Sequence, residues 1–142
     1  MGIDAYVRDR LRAAAGGAPL TDAPAPTARP EVSDADLLAL LDAQLTARHV
    51  DLHARVLQEQ GEGFYTIGSL GHESNAAVAL ALRATDPALL HYRSAGFYCA
   101  RAGQVEGHDA AGDILLSLMA SAADPISGGR HKVFGHKDLA II

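Results

Sequence analysis

The longest periodic stretch of the chain is residues 33–61, which read SDADLLALLDAQLTARHVDLHARVLQEQG. Ser33 with Asp36 three residues later forms a pattern typical of a helix N-terminal capping box, and Gly61 is a usual helix terminator. Apolar residues recur at helical spacing between these two points, namely Leu37, Leu41, Leu45, Leu52 and Val56. The pattern predicts one helix from Ser33 to Gln60, about 39 Å long at ~1.5 Å per residue. We expect exposed apolar surface along this helix and around residues 139–142.

The region before this helix has a different composition. Residues 3–15 have apolar spacing typical of a short amphipathic helix, which Gly16 and Gly17 end. Four of the six prolines follow within residues 18–30. Proline removes a backbone donor and fixes φ, so this stretch is predicted to be a semi-rigid arm. The chain therefore divides into an N-terminal helix and arm, residues 1–32, and a main domain, residues 33–142.

Composition excludes several classes of protein. The chain has 142 residues and a net charge of −5, so no overall attraction to nucleic acid or to an anionic membrane surface is expected. A single cysteine, Cys99, excludes an internal disulfide and a cysteine-rich zinc site. Neither a signal peptide nor a membrane span is apparent. These features predict a cytoplasmic protein.

Downstream of Gly61 the sequence contains most of its glycine and histidine. A glycine-rich loop leads into a predicted helix from about Glu73 to Arg83, and further helices are predicted at residues 95–102 and 109–122. Short apolar runs at residues 64–67, 89–92 and 139–142 are compatible with strands. The last run ends the chain as a buried strand begins, so we expect the sequence to be truncated. Together these elements predict an α/β fold with an incomplete parallel sheet.

Three motifs with possible chemistry fail on spacing. Ser69 resembles the serine of a hydrolase nucleophile elbow, but Ile67 stands where that turn requires glycine. His72 and Glu73 begin like a zinc-protease helix, yet Ala76 occupies the position of the second histidine. His49 and His53 lie one helical turn apart and could share a metal ion, although such pairs are more often surface or interface residues. No metal site is predicted.

Anion binding is better supported. The loop Gly68–Glu73 precedes a helix and offers backbone N–H groups. Residues 91–94, His-Tyr-Arg-Ser, cluster polar donors, and an arginine can hold phosphate oxygens through two parallel hydrogen bonds. Residues 130–137 hold three of the 12 lysines and arginines. Two alternatives remain open: an ion pair of Arg93 with Asp86, and a solvated basic turn at residues 130–137.

Three ordered segments carry a resemblance to a known family. They are FYTIGSLGHE at residues 64–73, TDPALLHYRS at residues 85–94 and DPISGGRHK at residues 124–132. Together they resemble the alpha part of the decarboxylating component of 2-oxo acid dehydrogenase complexes, a family of thiamine-diphosphate-dependent oxidoreductases. The resemblance covers roughly residues 33–142.

The resemblance implies roles for particular residues. Tyr92 and Arg93 match the tyrosine–arginine pair that contacts the cofactor diphosphate, and His91 lies beside them. The glycine-rich basic segment lies at the active-site entrance in the family, which makes His131 and His136 candidates for proton transfer or carboxylate binding. Phe64 and Tyr65 would approach the same cleft.

The resemblance also implies partners that the chain would need. No Gly-Asp-Gly motif occurs, so the ligands of the Mg²⁺ ion are expected outside this chain, and the activating glutamate belongs to a beta subunit or beta half. The complete enzyme would take a 2-oxo acid as substrate, acylate a lipoyl-bearing acyltransferase and form an oligomer. This fragment alone is expected to be inactive. A non-catalytic helical interaction module and, less favoured, an α/β serine hydrolase are the alternatives.

Overall fold

The structure is a computed structural model that describes residues 8–9, 12–13, 15–16, 32–66, 68–130 and 134–142. Contacts divide the chain into two units, Met1–Glu31 and Val32–Ile142. In the first unit residues 8, 9, 12, 13 and 15 are helical. The rest of the predicted first helix and the proline-rich arm lie outside the described residues.

The second unit is built from helices. They are α1 (Asp34–Glu59), α2 (Asn75–Ala81), α3 (Ala95–Gly103) and α4 (Ala110–Leu118), followed by a short 3₁₀-helix (Lys137–Leu139). In the described part of the chain there is no strand, only two isolated β-bridges, which join Ala88 to Ile141 and His136 to Ile141. The predicted α/β fold with a parallel sheet is therefore wrong, because this unit is all-helical. None of these helices is both long enough and apolar enough to cross a membrane.

Where the structure describes them, the three apolar runs that suggested strands have other conformations; Ile67 lies outside the described residues. Phe64 is 73% exposed, and its N–H donates to the Leu118 carbonyl at the end of α4. Leu139 ends the 3₁₀-helix, and Ala140 has a φ of 51°, so the chain turns back instead of extending. Residues 89–92 lead into a turn. Short apolar runs do not distinguish strands from buried loops by periodicity alone, and here tertiary contacts decide.

The long helix is confirmed almost to the residue. Ser33 is its N-cap, where Oγ accepts from the Asp36 N–H at 3.1 Å and donates to the Asp36 carboxylate at 2.6 Å. At the other end the Gln60 N–H donates to the Val56 carbonyl, and Gly61 has a φ of 77°. Local capping chemistry therefore fixes both ends of α1.

The face of α1 that packs inward is not its leucine face. The buried residues of α1 are Ala43, Ala47, Val50, Asp51 and Ala54, whereas the apolar residues that define the sequence pattern are exposed: Leu37, Leu41, Leu45, Leu52 and Val56. Helix α3, with the sequence AGFYCARAG, packs against α1, α2 and α4, and residues 95–102 are all buried. Small side chains on both helices allow a close approach, which the leucines would prevent.

The outcome for exposed apolar surface is mixed. The prediction is confirmed along α1 by the exposed leucine face. It is wrong for most of residues 139–142, because Leu139 is fully buried and Ile141 is 4% exposed, while Ile142 alone is open to solvent.

The leucine face of α1, which also includes the exposed Leu38, can be tested with a hydrophobic dye. We expect the folded chain to enhance the fluorescence of an anilinonaphthalene dye, and the double variant Leu38→Glu/Leu41→Glu to reduce that signal. Both positions are at least half exposed, so the free energy of unfolding should change by no more than about 1 kcal/mol. Ala47→Glu is the control, since it buries a charge at a fully buried position and should unfold the chain. An unchanged dye signal in the double variant would contradict the assignment.

A buried arginine joins α3 to two other segments. Arg101 is completely buried, and its Nη1 donates to the carbonyls of Ala84, Asp86 and Leu139 at 2.9–3.0 Å. The guanidinium carbon lies 5.1 Å from the centroid of the Phe97 ring. These contacts hold residues 84–86 and the C-terminal segment on the same side of α3.

Replacing Arg101 should destabilise the chain strongly. Arg101→Met keeps the apolar stem but leaves three carbonyl groups without this donor, at a cost of about 1–3 kcal/mol for each group that stays buried. We expect the urea midpoint to fall by an amount equivalent to at least about 3 kcal/mol. Arg83→Met, at an exposed arginine, should change it little. Equal midpoints for the two variants would show that the carbonyl contacts of Arg101 contribute nothing.

Candidate functional site

The predicted diphosphate-binding residues form a tight turn just before α3. The Ser94 N–H donates to the His91 carbonyl at 2.8 Å, and the Arg93 N–H lies 3.4 Å from His91 Nδ1. The His91 and Tyr92 rings are 4.0 Å apart, and the Arg93 guanidinium carbon lies 5.2 Å from the centroid of the Tyr92 ring. The structure thus brings the three predicted residues together, with Arg93 exposed and Tyr92 half-buried.

The alternative in which Arg93 pairs with Asp86 is wrong. Asp86 accepts instead from Arg83, whose Nε and Nη2 lie 3.0 and 2.7 Å from Asp86 Oδ1. These hydrogen bonds hold the pKa of Asp86 below its usual value. Within the described part of the chain no carboxylate forms an ion pair with Arg93. Its guanidinium is therefore open to an external anion.

The glycine loop is less suited to an anion than its sequence indicates. The buried Asp51 carboxylate accepts from the Gly68 N–H at 2.9 Å, and the Glu73 carboxylate accepts from the Gly71 N–H at 2.7 Å. Arg48 lies 3.4 Å from Asp51 and 3.6 Å from Glu73. Carboxylates of the chain thus already occupy two backbone donors of this loop, so the loop is held on α1 rather than presented to a ligand.

A second buried carboxylate shapes the glycine-rich basic segment. Asp124 Oδ1 accepts from the Ile126 N–H, and Oδ2 accepts from the Ser127 N–H, the Ser127 hydroxyl and the Gly129 N–H, all within 3.1 Å. Gly129 has a φ of 76°, and a Cβ there would lie 2.4 Å from the Ala120 carbonyl oxygen. The turn is therefore ordered up to Arg130. These contacts do not decide between the two interpretations of residues 130–137, in which the described cations, Arg130 and Lys137, are exposed.

The two predicted cleft residues differ in environment. Phe64 is exposed, whereas Tyr65 is half-buried and its hydroxyl bonds with Ser117. Burial raises the pKa of Tyr65, the hydrogen bond with Ser117 lowers it, and the nearby Asp124 carboxylate raises it further. Tyr65 thus lies beside α4 and the Asp124 turn.

The two predicted catalytic histidines cannot be treated as a pair. His131 lies outside the described residues. His136 is N-cap of the 3₁₀-helix and lies beside His108 and Asp113. Among the described residues no hydrogen bond, ion pair or ring contact joins His136 to His91, Tyr92 or Arg93.

Sequence patterns missed the groups that organise these segments. Asp51 and the cluster of His108, Asp113 and His136 have no short-range signature, because they meet residues that are distant in sequence. Asp124 does have a local signal, because an aspartate three residues before a serine and glycine, as in Asp124-Pro-Ile-Ser-Gly, is typical of a side chain that bonds the following backbone. Ser69 is buried, with no hydrogen-bond partner for Oγ among the described residues, which gives no support to the hydrolase alternative.

No protein-family model matches the chain, and no curated protein or solved structure shows significant similarity to it.

The Asp124 turn gives a test of local order. Asp124→Asn keeps the size of the side chain, but an amide group replaces one acceptor oxygen and must face a backbone N–H. We expect a loss of about 1–3 kcal/mol in the free energy of unfolding and faster hydrogen exchange at residues 126–129. Asp138→Asn, at an exposed aspartate, is the matched control. Unchanged exchange in Asp124→Asn would mean that the carboxylate does not hold the turn.

Proposed function

We propose that this chain contributes the diphosphate-binding turn of a thiamine-diphosphate-dependent 2-oxo acid dehydrogenase. The observation that carries the proposal is Arg93, an exposed guanidinium over the Tyr92 ring and without a carboxylate partner in the described part of the chain. A cation left in this state in an acidic protein is available to a phosphate group. The sequence resemblance assigns the diphosphate contact to the same two residues.

The residues present fit the diphosphate end of the cofactor. Arg93 can donate two parallel hydrogen bonds to phosphate oxygens, and the Tyr92 hydroxyl can donate one more. The neighbouring His91 ring, tilted 40° to the Tyr92 ring, limits the positions open to Tyr92, so the turn is partly preorganised.

The remaining roles of the chain in this reaction follow from the same proposal. Bound thiamine diphosphate supplies the nucleophile and the electron sink for decarboxylation, while the protein orients it. The 2-oxo acid substrate, the beta subunit or half and the lipoyl-bearing acyltransferase remain proposed partners. The roles of His131 and His136 in proton transfer and of Phe64 and Tyr65 in the cleft also remain predictions.

Calorimetric titration tests the diphosphate contact. Each charge-assisted hydrogen bond is worth about 1.5–3 kcal/mol, so Arg93→Ala should weaken binding of thiamine diphosphate, with Mg²⁺ present, roughly ten- to a hundredfold. Arg93→Lys should recover part of that loss, because an ammonium keeps the charge without the planar geometry.

Arg83→Ala is the matched control, because Arg83 is also an exposed arginine but forms an ion pair with Asp86. It should leave the affinity unchanged. Titration with inorganic pyrophosphate shows whether the diphosphate alone is recognised. Equal affinities of the unaltered chain and Arg93→Ala, with both folded by circular dichroism, would overturn the assignment.

The helical interaction module is the second candidate, and the leucine face of α1 favours it. Absence of any thiamine diphosphate binding, together with a change of oligomeric state in Leu38→Glu/Leu41→Glu measured by light scattering, would support the module over the enzyme.

A further inference from the structure

Three side chains with metal-binding chemistry meet where three parts of the chain converge. His108 lies between α3 and α4, Asp113 is in the first turn of α4, and His136 immediately precedes the 3₁₀-helix. Each offers one ligand atom, and these atoms all lie within 4.8 Å of one another. The three residues span 29 positions of the sequence, so only the fold brings them together.

The surrounding structure orients each of these groups. The Tyr98 hydroxyl donates to Asp113 Oδ2 at 2.9 Å, which leaves Oδ1 for another partner. The backbone of His136 is fixed by two hydrogen bonds with Ile141 at 2.8 and 3.0 Å. The His108 and His136 rings are perpendicular, with centroids 4.8 Å apart. A partner that orients a metal-binding carboxylate from behind is a usual feature of metal sites.

Apart from the contact between the two imidazole rings, the three groups do not interact with one another. No hydrogen bond or ion pair joins His108, Asp113 and His136 to one another. His136 Nδ1 is buried and has no hydrogen-bond partner among the described residues. Buried polar atoms in native structures nearly always have a partner, so this nitrogen is able to accept one. Ser69 Oγ and the Nε and Nη2 atoms of Arg101 are also buried without a partner among the described residues, but His136 differs from them in lying beside two further metal-binding side chains.

The donor set selects the kind of metal ion. Two imidazole nitrogens and one carboxylate oxygen suit zinc, which takes such ligands with a water in the fourth position. Magnesium prefers oxygen ligands, so this site is distinct from the ion that accompanies thiamine diphosphate. Ligands about 2.0–2.2 Å from zinc lie roughly 3.5 Å apart, so the side chains must close by roughly 1 Å. His108 also lines an open cavity of about 330 Å³ between α1, α3 and the start of α4.

We propose that His108, Asp113 and His136 form a zinc site, with Tyr98 as the residue that positions the Asp113 carboxylate. The site ties the C-terminal segment to α3 and α4. In this role His136 is a metal ligand rather than a proton-transfer group. The proposal does not depend on thiamine diphosphate binding.

Metal titration of the tag-free full chain tests the site. Zinc should bind with one-to-one stoichiometry in calorimetry, and Co²⁺ should give the intense visible bands of a tetrahedral site that zinc then abolishes. His108→Gln and His136→Gln should each weaken zinc binding at least about a hundredfold, and Tyr98→Phe about tenfold. Zinc should raise the melting temperature of the unaltered chain but not of the ligand variants.

The control is His49→Gln/His53→Gln, which removes the exposed histidine pair of α1 and should leave zinc binding unchanged. Loss of binding in this control would show that the metal binds to the histidines of α1 and would overturn the proposal. So would unchanged binding in His108→Gln and His136→Gln, or no zinc binding by the unaltered chain. Because Asp113 and the histidines are only partly buried, the variants should fold, which circular dichroism verifies.

Discussion

The buried guanidinium of Arg101 is the interaction on which the arrangement of the molecule depends. It lies in the central helix α3 and binds carbonyl groups from residues 84–86 and from Leu139. The first of these segments leads into the turn that carries Arg93, and the second follows directly on His136. One cation without a carboxylate partner in the described part of the chain thus positions both candidate sites.

A second constraint is the small size of the side chains where α1 meets α3. The buried residues of α1 are mostly alanines, and the alanines of α3 are buried as well, so the two helices can pack closely. Leucines cannot occupy such an interface without separating the helices. They therefore lie on the outer face of α1, where they form an exposed apolar surface. Proteins normally bury a surface of this kind in an interface.

Charges in the molecule are of two kinds, and the difference bears on function. Arg48, Arg83 and Arg101 are engaged by carboxylates or carbonyls of the chain and serve the fold. Arg93 is not so engaged, and it lies on an aromatic ring that holds it near one position. Likewise Asp51 and Asp124 organise backbone turns, whereas Asp113 shares its surroundings with two histidines. Arg93 and Asp113 neither hold a backbone turn nor form an ion pair in the described part of the chain, and they are among the groups proposed to bind ligands.

The sequence by itself determined what depends on near neighbours. The ends of α1 follow from Ser33, Asp36 and Gly61, and the beginning of α4 follows from Asp109, whose carboxylate accepts from the Gly112 N–H. The clustering of His91, Tyr92 and Arg93 is likewise a consequence of adjacency. Each of these depends on hydrogen bonds or contacts within about four residues, so the local order of residues is enough to predict them.

Tertiary structure decided the rest. An apolar run becomes a strand only if another strand of the chain pairs with it, and this holds for residues 64–67, 89–92 and 139–142. The described helices offer carbonyl groups and apolar contacts to these segments, but no sheet. Which face of α1 is buried depends on the shape of α3. Arg93 has no carboxylate partner in the described part of the chain, because Asp86 is bonded to Arg83. The cluster at His108 exists only because Arg101 and the Ile141 bridge return the end of the chain to α3. Such choices rest on contacts between distant residues, which no local pattern records.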